Sequence, residues 1–413
     1  MRILIVSSSD ITGGAARAAY RNHKALLNCG VDSRMLVQKK NSDDYTVIGP
    51  KSTLQKIIGL GRPLLEQIPV KKYSQRNGTL FTASWLPFSN VVDRINKINP
   101  DVVHLHWIGG GMMRIEDISR INAPIVWTLH DNWPFTGGCH IMWDCVKYKD
   151  NCGACPCLGS SKDNDLSRKV FNRKKKAFVK IQKITMVGVG KWITECSEKS
   201  ALLSNKKHVT IPNPLDTNIY KPLDKEISRR LLNLPSNKKI VLFGANSASS
   251  DINKGFSKLC ESLHCLDIDA DAVELVVFGA SSPKISQGFK FKTHYLGHIH
   301  DDVSLVAIYS AADVMIVPSF QESFGQTAAE AMSCQTPVVA FGHTGLMDII
   351  DHKVNGYLAT PMDSVDLSKG ISFILNSENY LELCQNARKK VLNAFDSQAI
   401  ASKFIDLYNQ ILK

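Results

Sequence analysis

The chain has 413 residues, a formal charge of +12 and an apolar fraction of 44%. That length suggests two or three domains, each able to bury its own core, and the composition is ordinary for a globular protein. No run approaches the ~18 apolar residues a membrane span needs. The opening MRILIVSSSD is too short in its apolar part for a secretory signal and reads as a first strand, so a cytoplasmic protein is expected.

Taken in chain order, residues 2–8 form that strand, and Gly13-Gly14 opens a helix to about residue 29. The two glycines let the backbone come close to a ligand; a plain strand-to-helix turn is the rival reading. Residues 33–38 are a strand, and 40–90 are irregular and lysine-rich. Within them Lys51, Lys56, Arg62, Lys71, Lys72 and Arg76 mix with Ile57, Ile58, Leu60, Leu64 and Leu65, opposed only by Glu66. Such a mixture fits an anionic membrane surface. Residues 101–107 and 124–130 are buried strands. His104, His106 and Trp107 end the first, lining an acceptor side or simply packing. His130 ends the second, a good place for a ligand contact, although a lone histidine is more often structural.

Residues 131–167 form a loop rich in cysteine. Of the eleven cysteines, Cys139, Cys145, Cys152, Cys155 and Cys157 fall within 19 residues. In a reducing compartment such clustering favours metal over disulfides. Cys152 and Cys155 have the spacing of a zinc-chelating hook, and Cys139 and Cys145 complete a tetrahedral set, with Cys157 and His140 as substitutes. Packed thiols and a disulfide are the other readings. A closed structural zinc site would staple the loop and do no chemistry. Residues 168–183 hold eight Lys or Arg and no acid. Val170, Phe171, Ala177, Phe178 and Ile181 share one helical face, which makes this stretch a second candidate for lipid. No nucleic-acid motif accompanies either stretch.

A strand at 184–189, a helix from Lys191 and a strand at 208–211 complete the first half. Pro212, Pro214 and Pro222 then break regular structure, so 212–236 reads as a linker. Strands at 240–244, 273–279, 293–296, 314–317, 337–340 and 356–358 alternate with helices. That alternation predicts parallel sheets covered on both faces. Asp267, Asp269 and Asp271 look like a metal-binding DxD but precede a strand, and they read as solvated.

The segment from Val314 to Leu358 carries the most chemistry. An apolar strand leads into Glu322-Ser-Phe-Gly-Gln-Thr-Ala-Ala-Glu330, a turn that opens a helix. Ligands of open α/β sheets bind in such turns, where exposed helix amides attract phosphate. The amides of Phe324, Gly325 and Gln326 suit a diphosphate. Glu322 and Glu330 suit hydroxyls, which carboxylates accept from. As a bare pair, two glutamates eight apart are more often a solvated residue and a helix-dipole partner.

ESFGQTAAEAMSCQTPVVAF, with Gly345, Asp348 and Asn355-Gly356, resembles the donor-site signature of retaining glycosyltransferases of family 4. The likeness is specific over 240–360 and weaker along the rest. It implies the GT-B fold: α/β, two facing Rossmann-like domains with parallel sheets and a cleft between them. An acceptor-binding domain would span 1–211, a nucleotide-sugar domain 212–396, and a helix at 397–413 would return to the first. The resemblance implies that Glu322 touches the donor sugar, Glu330 the ribose, Lys254 the β-phosphate and His130 the sugar near the reacting carbon. It places Ser323, Phe324, Gly325 and Gln326 at the diphosphate, His298 and Ile299 at the nucleobase, and Gly13 and Gly14 at donor phosphate or acceptor. The family's arginine near Lys254 is replaced here by Ala245-Asn246-Ser247. Asn213 and Asp216 match a signature at the domain junction.

The implied reaction is metal-independent transfer from a nucleotide diphosphate sugar to a lipid-linked oligosaccharide, with Zn confined to structure. The enzyme would sit on the inner face of a bacterial membrane, in O-antigen, capsule or exopolysaccharide assembly, and bind no nucleic acid. A nucleotide-sugar 2-epimerase of the same fold is one alternative. A non-catalytic basic protein holding membrane or nucleic acid is the other.

Overall fold

The computed structural model describes residues 1–244, 251–280 and 290–413. The chain divides into two compact units, 1–214 with 398–413, and 215–397. The divisions fall after Pro214 and Ser397, where the sequence suggested 211 and 396.

The first unit carries β1 (Arg2–Ser9), α1 (Gly14–Asn28), β2 (Asp32–Lys39), β3 (Val47–Ile48), α2 (Thr53–Glu66), α3 (Val91–Ile98), β4 (Val102–Leu105), β5 (Ile125–Leu129), α4 (Leu166–Phe178), β6 (Ile184–Gly188), α5 (Lys191–Glu198) and β7 (Lys207–Thr210). Its strands pair in parallel in the order β3-β2-β1-β4-β5-β6-β7. Ile3, Ile5, Val102, Val126 and Val187 are buried in one core, as expected of strands covered on both faces. Because every strand runs the same way, the turns after β1, β4 and β5 share one edge. Those turns carry Gly13, His106 and His130.

The two basic stretches behave differently. In α4, Val170, Phe171, Ala177 and Phe178 are buried, as is Ile181 just beyond it. Its apolar face is core, so α4 is not a lipid-facing helix. In α2 the only buried residue is Glu66. Its carboxylate lies inside the unit and accepts from the Ser84 amide, so it opposes nothing at the surface. Arg62 turns inward too, donating to the carbonyls of Leu86, Pro87 and Gly111.

The second unit carries α6 (Lys225–Leu231), β8 (Lys239–Gly244), α7 (Phe256–His264), β9 (Val273–Phe278), β10 (Lys292–Tyr295), α8 (Asp302–Ala311), β11 (Val314–Val317), α9 (Gln326–Ser333), β12 (Val338–Phe341), β13 (Gly356–Ala359), α10 (Ser364–Leu375) and α11 (Tyr380–Ala394). The strands pair in parallel as β10-β9-β8-β11-β12-β13. The turns after β8, β10, β11 and β12 therefore lie along one carboxyl edge. Asp267, Asp269 and Asp271 precede β9, at the opposite edge, and are exposed. The last helix, α12 (Ser397–Leu412), buries Ile400, Phe404 and Tyr408 in the core of the first unit.

Candidate functional site

The carboxyl edge of the second sheet brings Lys254 and Glu322 together. Lys254 ends a short 3-10 turn after β8, and Glu322 lies in the turn after β11. Their loops are stitched by the Phe320 amide donating to the Asn253 carbonyl (2.9 Å) and Asn253 Nδ2 donating to the Gln321 carbonyl (2.8 Å). Gly255, at φ 68°, allows this contact, because a Cβ there would stand 1.9 Å from the Pro318 carbonyl oxygen. Lys254 Nζ then reaches Glu322 Oε1 at 2.6 Å, with both side chains partly exposed. Burial works to lower the Lys254 pKa, but the Glu322 carboxylate outweighs it, and the ammonium is held above its usual range.

Beside this pair, α9 begins at Gln326 with Gly325 before it at φ 107°, a residue with no side chain to cap the helix. A helix start so arranged presents N–H groups and a positive dipole end to an anion. Gly325 and Gly345 keep the turn tight. A Cβ on the first would meet Leu346 at 2.7 Å, and one on the second the Ser323 carbonyl at 2.4 Å. Phe324 is buried edge-on against Phe395, and Ser323 is half-exposed beside it.

Glu330 sits within α9, 3% exposed, with Oε2 accepting from the Tyr309 hydroxyl at 2.7 Å. Tyr309 escaped the sequence reading, since a tyrosine inside an apolar helix gives no sign of its hydroxyl's target. His298 is exposed and Ile299 half-buried after β10, on the same edge. Ala245, Asn246 and Ser247 lie outside the described residues.

In the first unit, Gly13 (φ 93°) precedes α1, which starts at Gly14. The turn is pinned by Asp10, which escaped the sequence reading. Its buried carboxylate accepts from the amides of Ile11, Asn41 and Ser42 and from the Ser42 hydroxyl. Burial opposes ionisation of Asp10, yet these donors hold its pKa below the ordinary value.

His130 and His106 meet at the ends of β5 and β4: His130 Nε2 lies 2.8 Å from His106 Nδ1. Burial pushes the His130 pKa down to about 4 and that of His106 well below its ordinary value. His106 Nε2 is buried without a partner, beside a water-sized cavity of about 10 Å³ lined by His106, Trp107, Thr128, His130, Trp133 and His140. His104 is structural, held between the Tyr408 hydroxyl and Thr128 Oγ1 at 2.7 Å each. Asp131 is spent on the loop, accepting from His140 Nδ1 (2.7 Å), Trp107 Nε1 (2.8 Å) and the Trp133 amide (2.9 Å).

The sequence offered Cys139, Cys145, Cys152 and Cys155 as a thiolate set, with Cys157 and His140 as substitutes. Among the described residues no group of three or more His, Cys, Asp or Glu is arranged to hold a metal ion. Cys152 Sγ accepts from the Gly137 amide at 3.2 Å. Cys157 donates toward the Ile141 carbonyl at 3.5 Å and touches Cys139 and Cys155. All five are free cysteines, and only Cys145 is not fully buried. The loop is clamped by Lys174, whose buried Nζ donates to the carbonyls of Trp133 and Thr136 and stands 3.7 Å from the Trp133 ring centroid.

Residues 224–391 match the family model of glycosyl transferases group 1. An uncharacterised glycosyltransferase of Methanocaldococcus jannaschii is 28% identical over 205 residues, 48% of this chain and 51% of that protein. The N,N'-diacetylbacillosaminyl-diphospho-undecaprenol alpha-1,3-N-acetylgalactosaminyltransferase of Campylobacter jejuni is 29% identical over 194 residues, 46% of this chain and 49% of that protein. The chain thus spans about half the length of the curated relatives it matches. Among solved structures, Anabaena HepE in complex with UDP-glucose matches with a TM-score of 0.67 at 16% identity, covering 99% of this chain and 100% of that one.

Proposed function

Since residues 224–391 belong to the glycosyl transferases of group 1, we propose that the chain is a retaining glycosyltransferase. It moves a sugar from a nucleotide diphosphate sugar to a hydroxyl of a lipid-linked glycan in bacterial surface polysaccharide synthesis. The observation that carries this reading is the Lys254–Glu322 pair beside the start of α9. One cation and a row of amides suit a diphosphate, and a carboxylate next to them suits the hydroxyls of the attached sugar. The named chemistry of two relatives supports the substrate classes: HepE was solved with UDP-glucose, and the Campylobacter enzyme's name carries a diphospho-undecaprenol acceptor.

On this reading the diphosphate displaces Glu322 from Lys254, and Glu322 turns to the sugar. The C1–O bond breaks and its electron pair leaves with the diphosphate. Lys254 and the α9 amides stabilise that charge. The acceptor oxygen bonds C1 from the same face, and its proton passes to the departing phosphate oxygen. No protein nucleophile is used. Glu330 binds the ribose, and His130 a hydroxyl of the sugar.

A thermal-shift series with UDP, GDP and their sugars tests the reading. A ligand held only by the native state raises the melting temperature by mass action. Failure of every nucleoside diphosphate to shift it would overturn the proposal. Turnover of the donor to an epimer without acceptor would replace transfer by 2-epimerisation.

A further inference from the structure

We infer that α2 and the segment beside it form a docking surface for the anionic face of a lipid bilayer. The inference deepens the proposed transfer to a lipid-linked acceptor and takes its purpose from that reading. Its physical basis is separate.

A helix in water is held mainly by the face it buries. α2 contains Gly59, Gly61 and Pro63, all poor helix formers, and buries only Glu66. Leu54, Ile57, Ile58, Leu60, Leu64 and Leu65 are instead 48–72% exposed. Arg62 fastens the helix to the carbonyls of Leu86 and Pro87. Phe88, 96% exposed, follows directly. A contiguous apolar face of this kind marks an interaction site. The contrast with α4 is direct, since Val170, Phe171, Ala177 and Phe178 of α4 are spent on the core.

Charge identifies the occupant. Between Asp44 and Asp93 the only acidic residue is Glu66, and it is inside the unit. Lys51, Lys56, Lys71, Lys72 and Arg76, in the same stretch of chain, are exposed. Apolar side chains bordered by lysines, with no exposed acid among them, match the acyl–headgroup boundary of an anionic leaflet. A second copy of the chain fits less well, because a two-fold contact through this face would set those cations against one another. Among the described residues no helix is long and apolar enough to cross a membrane, so this helix would lie on the surface.

Sedimentation of the full chain with vesicles tests the surface. The protein should pellet with phosphatidylcholine vesicles containing phosphatidylglycerol, pellet less with phosphatidylcholine alone, and be released by salt. The double substitution Leu60→Glu/Leu64→Glu, at exposed positions, should weaken binding about tenfold or more, as should Lys71→Glu/Lys72→Glu. Lys175→Glu/Lys176→Glu on α4 should bind as the parent does. Absence of vesicle binding by the parent protein overturns the inference, and so does binding that the α2 substitutions leave intact. Self-association that Leu60→Glu/Leu64→Glu abolishes, without vesicle binding, would give the face to a second copy. Stabilisation by UDP or GDP should persist in the α2 variants; its absence from the parent protein would count against the donor site and leave the surface standing.

Discussion

His106 Nδ1 stands 2.8 Å from His130 Nε2, and the two rings stack at 22° with centroids 5.1 Å apart. Burial keeps both imidazoles neutral near pH 7, so one proton occupies the bond between them. With Nε2 so engaged, Nδ1 is the nitrogen His130 offers a ligand. If His130 donates, its Nδ1 is an acceptor for a sugar hydroxyl, and the buried Nε2–H of His106 needs the water its cavity can hold. On the proposed reading His106 is thus a positioning residue, because its tautomer and that of His130 are coupled.

Replacing His106 by Phe keeps an aromatic ring and removes the nitrogen. Transfer should lose about 10²-fold in kcat, the scale of a misplaced reacting group, with KM for the nucleotide sugar little changed. His106→Asn, which can place an amide near the Nδ1 position, should recover part of it. Steady-state kinetics beside melting curves decide the matter. A loss that tracks the unfolded fraction alone would leave His106 a packing residue.

The Lys254–Glu322 pair makes a separate prediction. On the proposed reading, Lys254→Met removes the cation that would meet the departing diphosphate and should cost about 10²–10³-fold in kcat/KM, as removal of a transition-state donor does. Glu322→Gln keeps the shape and removes the charge that raises Lys254. It should bind a nucleoside diphosphate at least as tightly as the parent, because the competing carboxylate is gone, while turnover falls. Calorimetry with UDP and GDP measures the first effect. Weaker diphosphate binding by Glu322→Gln would contradict a cation shared between carboxylate and phosphate.

Alternating apolar runs were enough to place both parallel sheets, because strands covered on both faces must be nearly continuous in Val, Ile and Leu. The Glu322–Glu330 turn was equally legible, since Gly325 stands where the chain needs φ above zero. Pairing was not. Nothing local in the sequence ties Lys254 to Glu322, 68 positions away, or His106 to His130, because register between strands brings them together. The same limit misdirected the reading of charge. Lys-rich stretches at 51–76 and 168–183 look alike by composition, and only tertiary packing shows that the second spends its apolar face on the core. The cysteines pose a related problem: spacing gives chelating potential, whereas which thiols meet is decided by the fold of the loop, where Cys157 touches Cys139 and Cys155.

Two glycines separate steric need from ligand approach. Gly255→Ala meets both a positive φ and a carbonyl oxygen 1.9 Å away. It should cost about 1–3 kcal/mol or more and pull Lys254 from Glu322. Gly13→Ala meets no neighbouring atom, but φ 93° and ψ 162° is backbone open essentially only to glycine, so the backbone alone should cost about 1–3 kcal/mol, without the clash added at Gly255. Melting temperatures of the two variants test the order. A Gly255→Ala protein as stable as the parent would mean that the two loops are not stitched as described.

Acid should loosen the first unit. His23, fully buried between Ser33 Oγ and Thr46 Oγ1, has its pKa lowered to about 4 by burial, and His104 is lowered to about 3. A histidine depressed on folding binds fewer protons in the native state than in the unfolded chain. Its contribution is therefore complete above pH 6.5 and is lost as pH falls toward the folded pKa. At 1.36 kcal/mol per unit, each of these two costs about 2 kcal/mol by pH 5. Glu66 acts in the opposite sense: burial raises its pKa to about 7, so folding takes up its proton between about pH 7 and 4.5 and offsets roughly one histidine. The net slope between pH 7 and 5 is downward. All six tryptophans lie in the first unit, so the midpoint of tryptophan emission on heating reads that unit alone. It should fall on acidification, and fall further in Glu66→Gln, which removes the opposing proton uptake. A midpoint that holds or rises to pH 5 would show that these imidazoles are not buried neutral in the folded protein.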